Sequence, residues 1–305
     1  MSSRAWAAFA AMATLWGIPY LFIKLAVDDG VPPIFLAWAR IVIAAVVLLA
    51  LAWRAGTLRS LAGGWRWIAL FAIVEISLPF PLIAIGEQHV DSSLAAIIIA
   101  AAPLLVALLA FLVAPSERVS RRRSMGLVLG FAGVVTLMGL DVTGSTDELL
   151  GGLAILCAAA GYAAGPMIMR LRLGGMDARA AMGASLGIAA VVLTPFAVLD
   201  PPDAPLTGTA WASIAILGLL CTALAFLVYS VLVAEVGPGR AIVITYVAPV
   251  VALALGVAVL DERPGPGAIV GLLLILAGSW ISTDGRLPPW LAAILARRRH
   301  GTETA

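Results

Sequence analysis

Ten runs of mostly apolar residues, each about long enough to cross a lipid bilayer, dominate this chain. A membrane-spanning helix needs roughly 17–25 such residues, whereas a strand of a membrane barrel has about ten residues of alternating polarity. The runs are too long and too uninterrupted for strands, so they predict an all-α integral membrane protein. The predicted spans are residues 5–26, 33–53, 67–86, 93–114, 125–141, 149–169, 180–199, 210–234, 241–260 and 266–283.

The composition excludes the soluble classes of protein. Hydrophobic residues make up 62% of the 305 residues and charged residues only 12%, against about 25% charged residues in a soluble domain. A soluble fold of this length cannot bury so much apolar surface, so soluble enzymes and nucleic-acid-binding proteins are excluded. The net charge of +2 gives no reason to expect a polyanionic partner. Both cysteines lie in apolar runs without a metal-ligand pattern, so we expect neither a metal nor another cofactor.

The charges in the loops predict the orientation of the chain. Lys and Arg collect in the cytoplasmic loops of membrane proteins. Most arginines here fall on one side of the predicted spans, while the other side has Arg263, Lys24 near a span end and acids such as Glu87 and Glu262. We therefore expect a membrane protein with both termini in the cytoplasm. The arginines on the basic side are Arg4, Arg54, Arg59, Arg66, Arg118, Arg121, Arg122, Arg123, Arg170, Arg172, Arg179, Arg240, Arg286, Arg297, Arg298 and Arg299.

The two halves of the chain align with each other at a nearly constant offset. The aligned pairs are Trp16 with Tyr162, Lys24 with Arg170 and Pro103 with Pro249 at 146 positions, then Gly126 with Gly271 and Gly133 with Gly278 at 145. An odd number of five spans in each repeat makes the second repeat enter the membrane from the opposite face. Inverted repeats are a common construction of secondary transporters, with the substrate site near the midplane. We predict a first repeat at 1–143, a second at 144–285 and a basic cytoplasmic tail at 286–305.

Several short motifs recur in a fixed order. The first span holds Leu15-Trp16-Gly17 and Lys24, the second is flanked by Pro32-Pro33 and contains Arg40, and both halves end with Glu-Arg, Gly and Ala-Gly in sequence. Over residues 5–283 this order resembles the EamA family of the drug/metabolite transporter superfamily. The resemblance implies a ten-helix inner-membrane carrier, typically an exporter of amino acids, related metabolites or toxic compounds. It does not imply one particular substrate.

Two charged residues lie deep inside predicted spans, away from the span ends, namely Glu75 in the third and Arg40 in the second. A charge at the centre of a bilayer costs roughly 2.5–3.5 kcal/mol on insertion scales. Glu75 could therefore bind transported protons or form a structural ion pair. At 1.5 Å per residue the two side chains start about 10 Å and 16 Å below the same membrane edge, so Arg40 could reach Glu75. Alternatively, Arg40 could bind a substrate carboxylate through two parallel hydrogen bonds.

Further candidates for a substrate site are aromatic residues within the spans and one lysine. Trp16, Tyr162 and Tyr246 could line a cavity between the halves, although packing in the core is the alternative. Lys24 could contribute to the site or extend its amine to the membrane surface. The aligned Pro103 and Pro249 are hinge candidates, because proline removes a helical hydrogen bond.

One enzyme-like motif is present in the seventh predicted span. Gly183-Ala184-Ser185-Leu186-Gly187 matches the G-x-S-x-G pattern of serine hydrolases. The nearest candidate base, His89, is predicted at the opposite membrane surface, roughly 20 Å away in depth. A serine nucleophile needs its base within hydrogen-bond reach, so we interpret the motif as helix packing.

The sequence thus predicts a secondary transporter that is not an enzyme. We expect it to export a small metabolite, amino acid or drug across the inner membrane by alternating access, in exchange for protons. The alternative within this class is an uncoupled uniporter, and outside it a channel or membrane-embedded enzyme. The expected partners are the small-molecule substrate, protons and the lipid bilayer, and the protein could act as a monomer or a homodimer.

Overall fold

The computed structural model describes residues 2–113, 121–141, 145–236 and 244–282. Throughout these ranges the regular structure is helical, with no strand. The predicted tail 286–305, the basic loop up to Ser120 and the first residues of the ninth predicted span lie outside the described residues.

The first half of the chain folds into eight α-helices. They are α1 (Ser3–Gly17), α2 (Pro19–Asp28), α3 (Pro33–Arg54), α4 (Trp65–Phe71), α5 (Pro79–Glu87), α6 (Ser92–Ile99), α7 (Ala102–Val113) and α8 (Arg121–Asp141). A short 3₁₀ helix, Thr57–Leu61, precedes α4, and a π-helical segment, Ala72–Ser77, joins α4 to α5.

The described part of the second half contains six α-helices. They are α9 (Thr146–Ile168), α10 (Ala178–Leu199), α11 (Gly208–Ala215), α12 (Ala225–Val236), α13 (Ile244–Val259) and α14 (Pro266–Ser282). A π-helical segment, Met169–Leu173, follows α9, and another, Ile216–Leu224, joins α11 to α12. The π segments before α5 and before α12 occupy corresponding positions in the third span of each predicted repeat.

These helices make the protein a multi-pass membrane protein. Within the described residues, 6 continuous helical segments are long and apolar enough to cross a bilayer. They are Ser3–Asp28, Pro33–Arg54, Trp65–Glu87, Thr146–Leu173, Ala178–Leu199 and Gly208–Val236. Four shorter apolar helices coincide with the other predicted spans, namely Ser92–Val106, Ser124–Gly139, Ile244–Val259 and Pro266–Ile281. Large apolar side chains such as Val128 and Val191, 71% and 73% exposed, cover the outer faces, as lipid contact requires.

Prolines determine where several helices are interrupted. The first span changes from α1 to α2 at Pro19, and the third resumes as an α-helix at Pro79. The fourth span is interrupted near the hinge candidate Pro103, since α6 ends at Ile99 and α7 begins at Ala102. This places Pro103 in the first turn of α7, where its missing N–H costs least. Its repeat partner Pro249 lies within the unbroken α13, so the two hinge candidates differ in local structure.

The two closest helix pairs join partners from different halves. Helix α8 packs against α14, and α3 packs against α10. A Cβ atom on Gly133 would lie 2.8 Å from the carbonyl oxygen of Gly271, and one on Gly278 would lie 2.6 Å from that of Gly126. In the repeat alignment Gly133 corresponds to Gly278, and Gly126 corresponds to Gly271. The second contact is therefore the repeat equivalent of the first. The interface between α8 and α14 therefore repeats itself in an antiparallel sense.

Candidate functional site

Arg40 lies in the interior of the helix bundle, where it connects the two halves. Its side chain is buried on α3, and its Nη2 donates a hydrogen bond of 3.2 Å to Oγ1 of Thr222. Thr222 belongs to the π segment before α12 and donates its own proton to the Leu217 carbonyl at 2.8 Å. The guanidinium carbon lies 4.3 Å from the centre of the Phe80 ring, a cation–π contact. The Arg40 Nε is buried and has no protein hydrogen-bond partner, so this group retains an unused donor.

Glu75 lies in the π segment between α4 and α5 and packs against α9. A Cβ atom on Gly165 would overlap the Glu75 carboxyl group, so glycine at this position makes room for it. The Oε2 atom is buried without a hydrogen-bond partner. Tyr162 and Tyr229, both in the second half of the chain, lie close enough to Glu75 to interact with it electrostatically.

The ion pair between Glu75 and Arg40, one of the two alternatives that the sequence left open, is not formed in this conformation. Among the described residues no salt bridge joins the two side chains. Arg40 contacts Thr222 and Phe80, whereas Glu75 packs on Gly165. Similar depth in the membrane does not define the direction of a side chain around its helix. Tyr162 interacts electrostatically with both charged groups.

Some of the predicted aromatic residues lie in the same interior region as Arg40 and Glu75. Trp16 on α1 stacks against Tyr229 on α12, with 5.0 Å between ring centres and 35° between the ring planes. This contact again connects the two halves of the chain. Tyr162 and Tyr246 are both half-buried, on α9 and α13 respectively. Tyr229 was not among the predicted residues.

Lys24 lies near one end of the bundle and connects α2 with α5. Its Nζ donates to the backbone carbonyl of Glu87 at 3.0 Å and pairs with Asp28 Oδ1 at 3.2 Å. The contact with Asp28 agrees with the interpretation that the amine extends towards the membrane surface. The contact with Glu87 was not predicted.

Glu87 was expected to be a loop acid, and this expectation is wrong. It is the last residue of α5, its side chain is 0% exposed, and neither carboxyl oxygen has a protein hydrogen-bond partner. The end of α5 is buried because Gly86 packs tightly on α9, where an added Cβ would lie 2.8 Å from the Gly151 carbonyl oxygen. Arg40 interacts electrostatically with Glu87 as well, so Glu87 belongs to the same interior charge network.

A carboxylate from the second half caps a helix of the first half. Glu262 follows α13, and its two oxygens accept the backbone N–H groups of Ser92 and Ser93 at 2.8 and 3.0 Å. These are the first residues of α6, whose unpaired N–H groups favour an anion. Burial and then the negative charge of Glu262 raise the pKa of the neighbouring Asp91. The sequence had indicated Glu262 only as a loop charge.

Ser185 of the G-x-S-x-G motif is fully buried within α10. Its Oγ donates a hydrogen bond of 2.8 Å to the carbonyl of Ala181, one turn earlier in the helix. A Cβ atom on Gly183 would lie 3.1 Å from the backbone nitrogen of Leu49. The motif therefore packs α10 against α3, as expected for small residues in a membrane helix.

The fold and site define a helical membrane protein with a charged and aromatic interior shared by its two halves. The family model described as the EamA-like transporter family matches residues 4–139 and 149–283. The chain belongs to this family and is a membrane transporter.

The names of three relatives agree with this class of protein. The Bacillus subtilis protein "Uncharacterized transporter YoaV" is 25% identical over 275 residues, which cover 88% of this chain and 93% of that protein. The "Probable terminal-alkyne amino-acid exporter" of Streptantibioticus cattleyicolor is 29% identical over 282 residues, covering 91% and 92%. The "Uncharacterized inner membrane transporter YedA" of Escherichia coli K12 is 28% identical over 255 residues, covering 81% and 79%.

A solved crystal structure has a similar fold. It superimposes with a TM-score of 0.65 and covers 93% of this chain and 98% of its own chain, at 22% sequence identity. This similarity extends over nearly the whole length of both proteins and concerns the fold alone.

Proposed function

We propose that the protein is a secondary transporter that exports a small organic molecule across the inner membrane by alternating access. The observation that carries this proposal is the interior network around Arg40 and Glu75, because both halves of the chain contribute to it. Arg40 contacts Thr222, and Trp16 contacts Tyr229. A relative movement of the halves would therefore change the surroundings of the charged groups.

The proposed architecture has ten spans in two inverted repeats, 1–143 and 144–285, with both termini in the cytoplasm. The family model matches the chain twice, once in each of these parts. The reciprocal glycine contacts of α8 and α14 support a pseudo-two-fold axis between the halves. The corresponding π segments, Ala72–Ser77 and Ile216–Leu224, support it independently. Transporters built in this way bind substrate near the membrane midplane.

The substrate class that we propose is an amino acid or a related small carboxylate. Arg40 retains an unused Nε donor in a buried environment, and guanidinium groups bind carboxylates with two parallel hydrogen bonds. Trp16, Tyr162 and Tyr246 would contact the apolar part of the substrate, while Glu87 and Lys24 would lie at the outer end of its path. The name of the Streptantibioticus cattleyicolor relative, an amino-acid exporter, supports this class.

We further propose that Glu75 couples transport to protons. Its Oε2 atom is buried beside Gly165, and no cation pairs with it among the described residues. Carboxyl groups inside membrane helices are typical of proton-coupled pumps and transporters. Such a group carries a proton across if the two conformations expose it to opposite sides in turn. The break before Pro103 and the proline within α13 would accommodate the change in helix geometry.

Exchange in reconstituted vesicles tests this proposal. Vesicles containing the protein are loaded with amino acids, and efflux is measured with and without a pH gradient. We expect efflux to accelerate when the outside is acidic. Arg40→Lys should slow the efflux of amino acids because lysine lacks the planar pair of donors that binds a carboxylate. Arg263→Lys, at an exposed position in the loop before α14, is the matched control. Equal efflux with and without the gradient would indicate the uniporter instead, and no efflux of any amino acid would exclude the substrate class.

A further inference from the structure

An apolar groove lies on the outer surface of the bundle, away from the interior charges. It has a volume of about 490 Å³ and is formed by α3, the 3₁₀ helix Thr57–Leu61, α4 and α10. Its lining consists of Leu49, Leu58, Leu61, Trp65, Ala184, Gly187, Ile188, Val191 and Val192. Because none of these side chains carries a charge, the groove does not suit a polar metabolite.

The groove runs from one membrane surface into the hydrocarbon region. Its lining on α10 extends from Ala184 to Val192, about 12 Å along the helix at 1.5 Å per residue. The end of the groove at the membrane surface, its surface end, is formed by the 3₁₀ helix Thr57–Leu61. This helix is connected to the start of α10 by a hydrogen bond of 3.2 Å from the Asp177 N–H to Ser60 Oγ. Trp65 and Val191 are 54% and 73% exposed, so the groove opens towards the surrounding lipid.

Two arginines belong to the elements that form the surface end of the groove. Arg59 lies between the lining residues Leu58 and Leu61, and Arg54 ends α3 five residues after Leu49. Both arginines are exposed, and no salt bridge involves either of them among the residues that the structure describes. By contrast, Arg179 at the start of α10 pairs with Asp177 at 2.9 Å. Arg54 and Arg59 are therefore available to bind an anion.

We propose that this groove binds one acyl chain of an anionic phospholipid, with the lipid phosphate at Arg54 and Arg59. The apolar lining fits a hydrocarbon chain, and the arginines fit the charge of the head group. Basic sites between membrane helices recognise anionic lipids in this way. The groove is separate from the interior network, so lipid binding does not depend on the proposed transport mechanism.

Gly187 lines the groove and offers a position for a blocking variant. A Cβ atom on Gly187 would lie 3.5 Å from Leu49 Cδ1, an ordinary contact, so Gly187→Leu extends into the groove. The matched control for added volume is Cys157→Leu, on an exposed position of α9. A second variant, Arg54→Gln with Arg59→Gln, removes only the charge, and Arg263→Gln is its control on an exposed loop residue.

The test compares phosphatidylglycerol with phosphatidylcholine of identical chains, added to purified full-length protein in detergent. The thermal unfolding midpoint and the lipid retained in native mass spectrometry are both measured. We expect phosphatidylglycerol to raise the midpoint more than phosphatidylcholine and to be retained. Gly187→Leu and the double arginine variant should lose this excess, and the two controls should keep it.

Three results would overturn the proposal. Equal effects of the two lipids would show that no head-group charge is recognised. An unchanged preference in Gly187→Leu would show that the lipid binds elsewhere. A dimer in native mass spectrometry that is lost in Gly187→Leu, without bound lipid in the monomer, would assign the groove to a second copy of the chain.

Discussion

Gly133 of α8 and Gly271 of α14 lie backbone against backbone, with 2.8 Å between a Cβ placed on Gly133 and the carbonyl oxygen of Gly271. The reverse placement, a Cβ on Gly271, would lie 3.0 Å from the Gly133 carbonyl oxygen. Neither backbone can recede without moving its whole helix. The two helices therefore approach as closely as helices in membranes do where small residues face each other.

Gly133→Leu should consequently destabilise the protein. Overpacking typically costs about 1–3 kcal/mol, and at a backbone contact we expect the upper end of this range. The unfolding midpoint in detergent measures the effect. Gly139→Leu, on the same helix, is the matched control, because a Cβ there meets no atom within 4 Å. Equal midpoints for the two variants would contradict the close approach of α8 and α14.

Gly165→Ala should also destabilise the protein, for a different reason. The added Cβ would overlap the Glu75 carboxyl group, so that side chain has to move. Combining Gly165→Ala with Glu75→Ala should recover most of the loss, since contacting residues show interaction energies of about 0.5–3 kcal/mol. Unfolding midpoints of the single and double variants give this coupling. Strictly additive effects would show that Glu75 does not occupy the space beside Gly165.

Glu75→Gln should reduce the stability of the protein only slightly, and it should abolish the pH dependence of transport. Because Arg40 donates to Thr222 rather than to Glu75, the change leaves no arginine without its partner. We expect a stability loss well below the roughly 3–5 kcal/mol of a broken buried ion pair. The pH dependence of transport should be lost, whereas substrate binding remains. Midpoints and vesicle efflux at two pH values measure both effects, and unchanged pH-dependent efflux would remove Glu75 from the mechanism.

The sequence predicted the positions of the helices and the importance of the aligned glycines better than it predicted the contacts between side chains in the interior. Gly133 and Gly278 were aligned by the repeat offset, and both lie at the interface of α8 and α14. The position of a residue along its span defines its depth in the membrane, but a π-helical turn, as at Glu75, changes the direction of the side chain around the helix axis. For this reason the sequence could not decide whether Arg40 pairs with Glu75, and in the structure Arg40 donates to Thr222 instead. Glu87 was misjudged because its burial depends on Gly86 packing against α9, a contact between distant parts of the chain.

Reporter fusions test the proposed orientation of the chain. The arginine distribution predicts that residue 120 is cytoplasmic and residue 145 is external. A fused alkaline phosphatase should therefore be active after residue 145 and inactive after residue 120, and a fluorescent protein that requires the cytoplasm should show the reverse. The opposite pattern for both reporters would invert the orientation and place the termini outside.

Asp91 and Glu262 predict a pH-dependent stability at the start of α6. Burial and the Glu262 charge raise the pKa of Asp91 in the folded protein, so the folded state binds its proton more tightly than the unfolded state does. Binding of this proton therefore stabilises the folded protein fully below the ordinary Asp pKa of about 3.9. The stabilisation is lost as the pH rises through the pKa of Asp91 in the folded protein. Asp91→Asn cannot ionise, and the Asp91 side chain makes no capping hydrogen bond that would be lost.

Asp91→Asn should therefore raise the unfolding midpoint at pH 7 relative to the unchanged protein, and the difference should vanish near pH 4. Glu262→Gln provides the contrast. It weakens the charge-assisted hydrogen bonds to the N–H groups of Ser92 and Ser93, so it should lower the midpoint at pH 7. Midpoints measured between pH 4 and pH 8 separate the two effects. If Asp91→Asn lowered the midpoint at pH 7, the Asp91 carboxylate would be stabilising α6 rather than repelling Glu262.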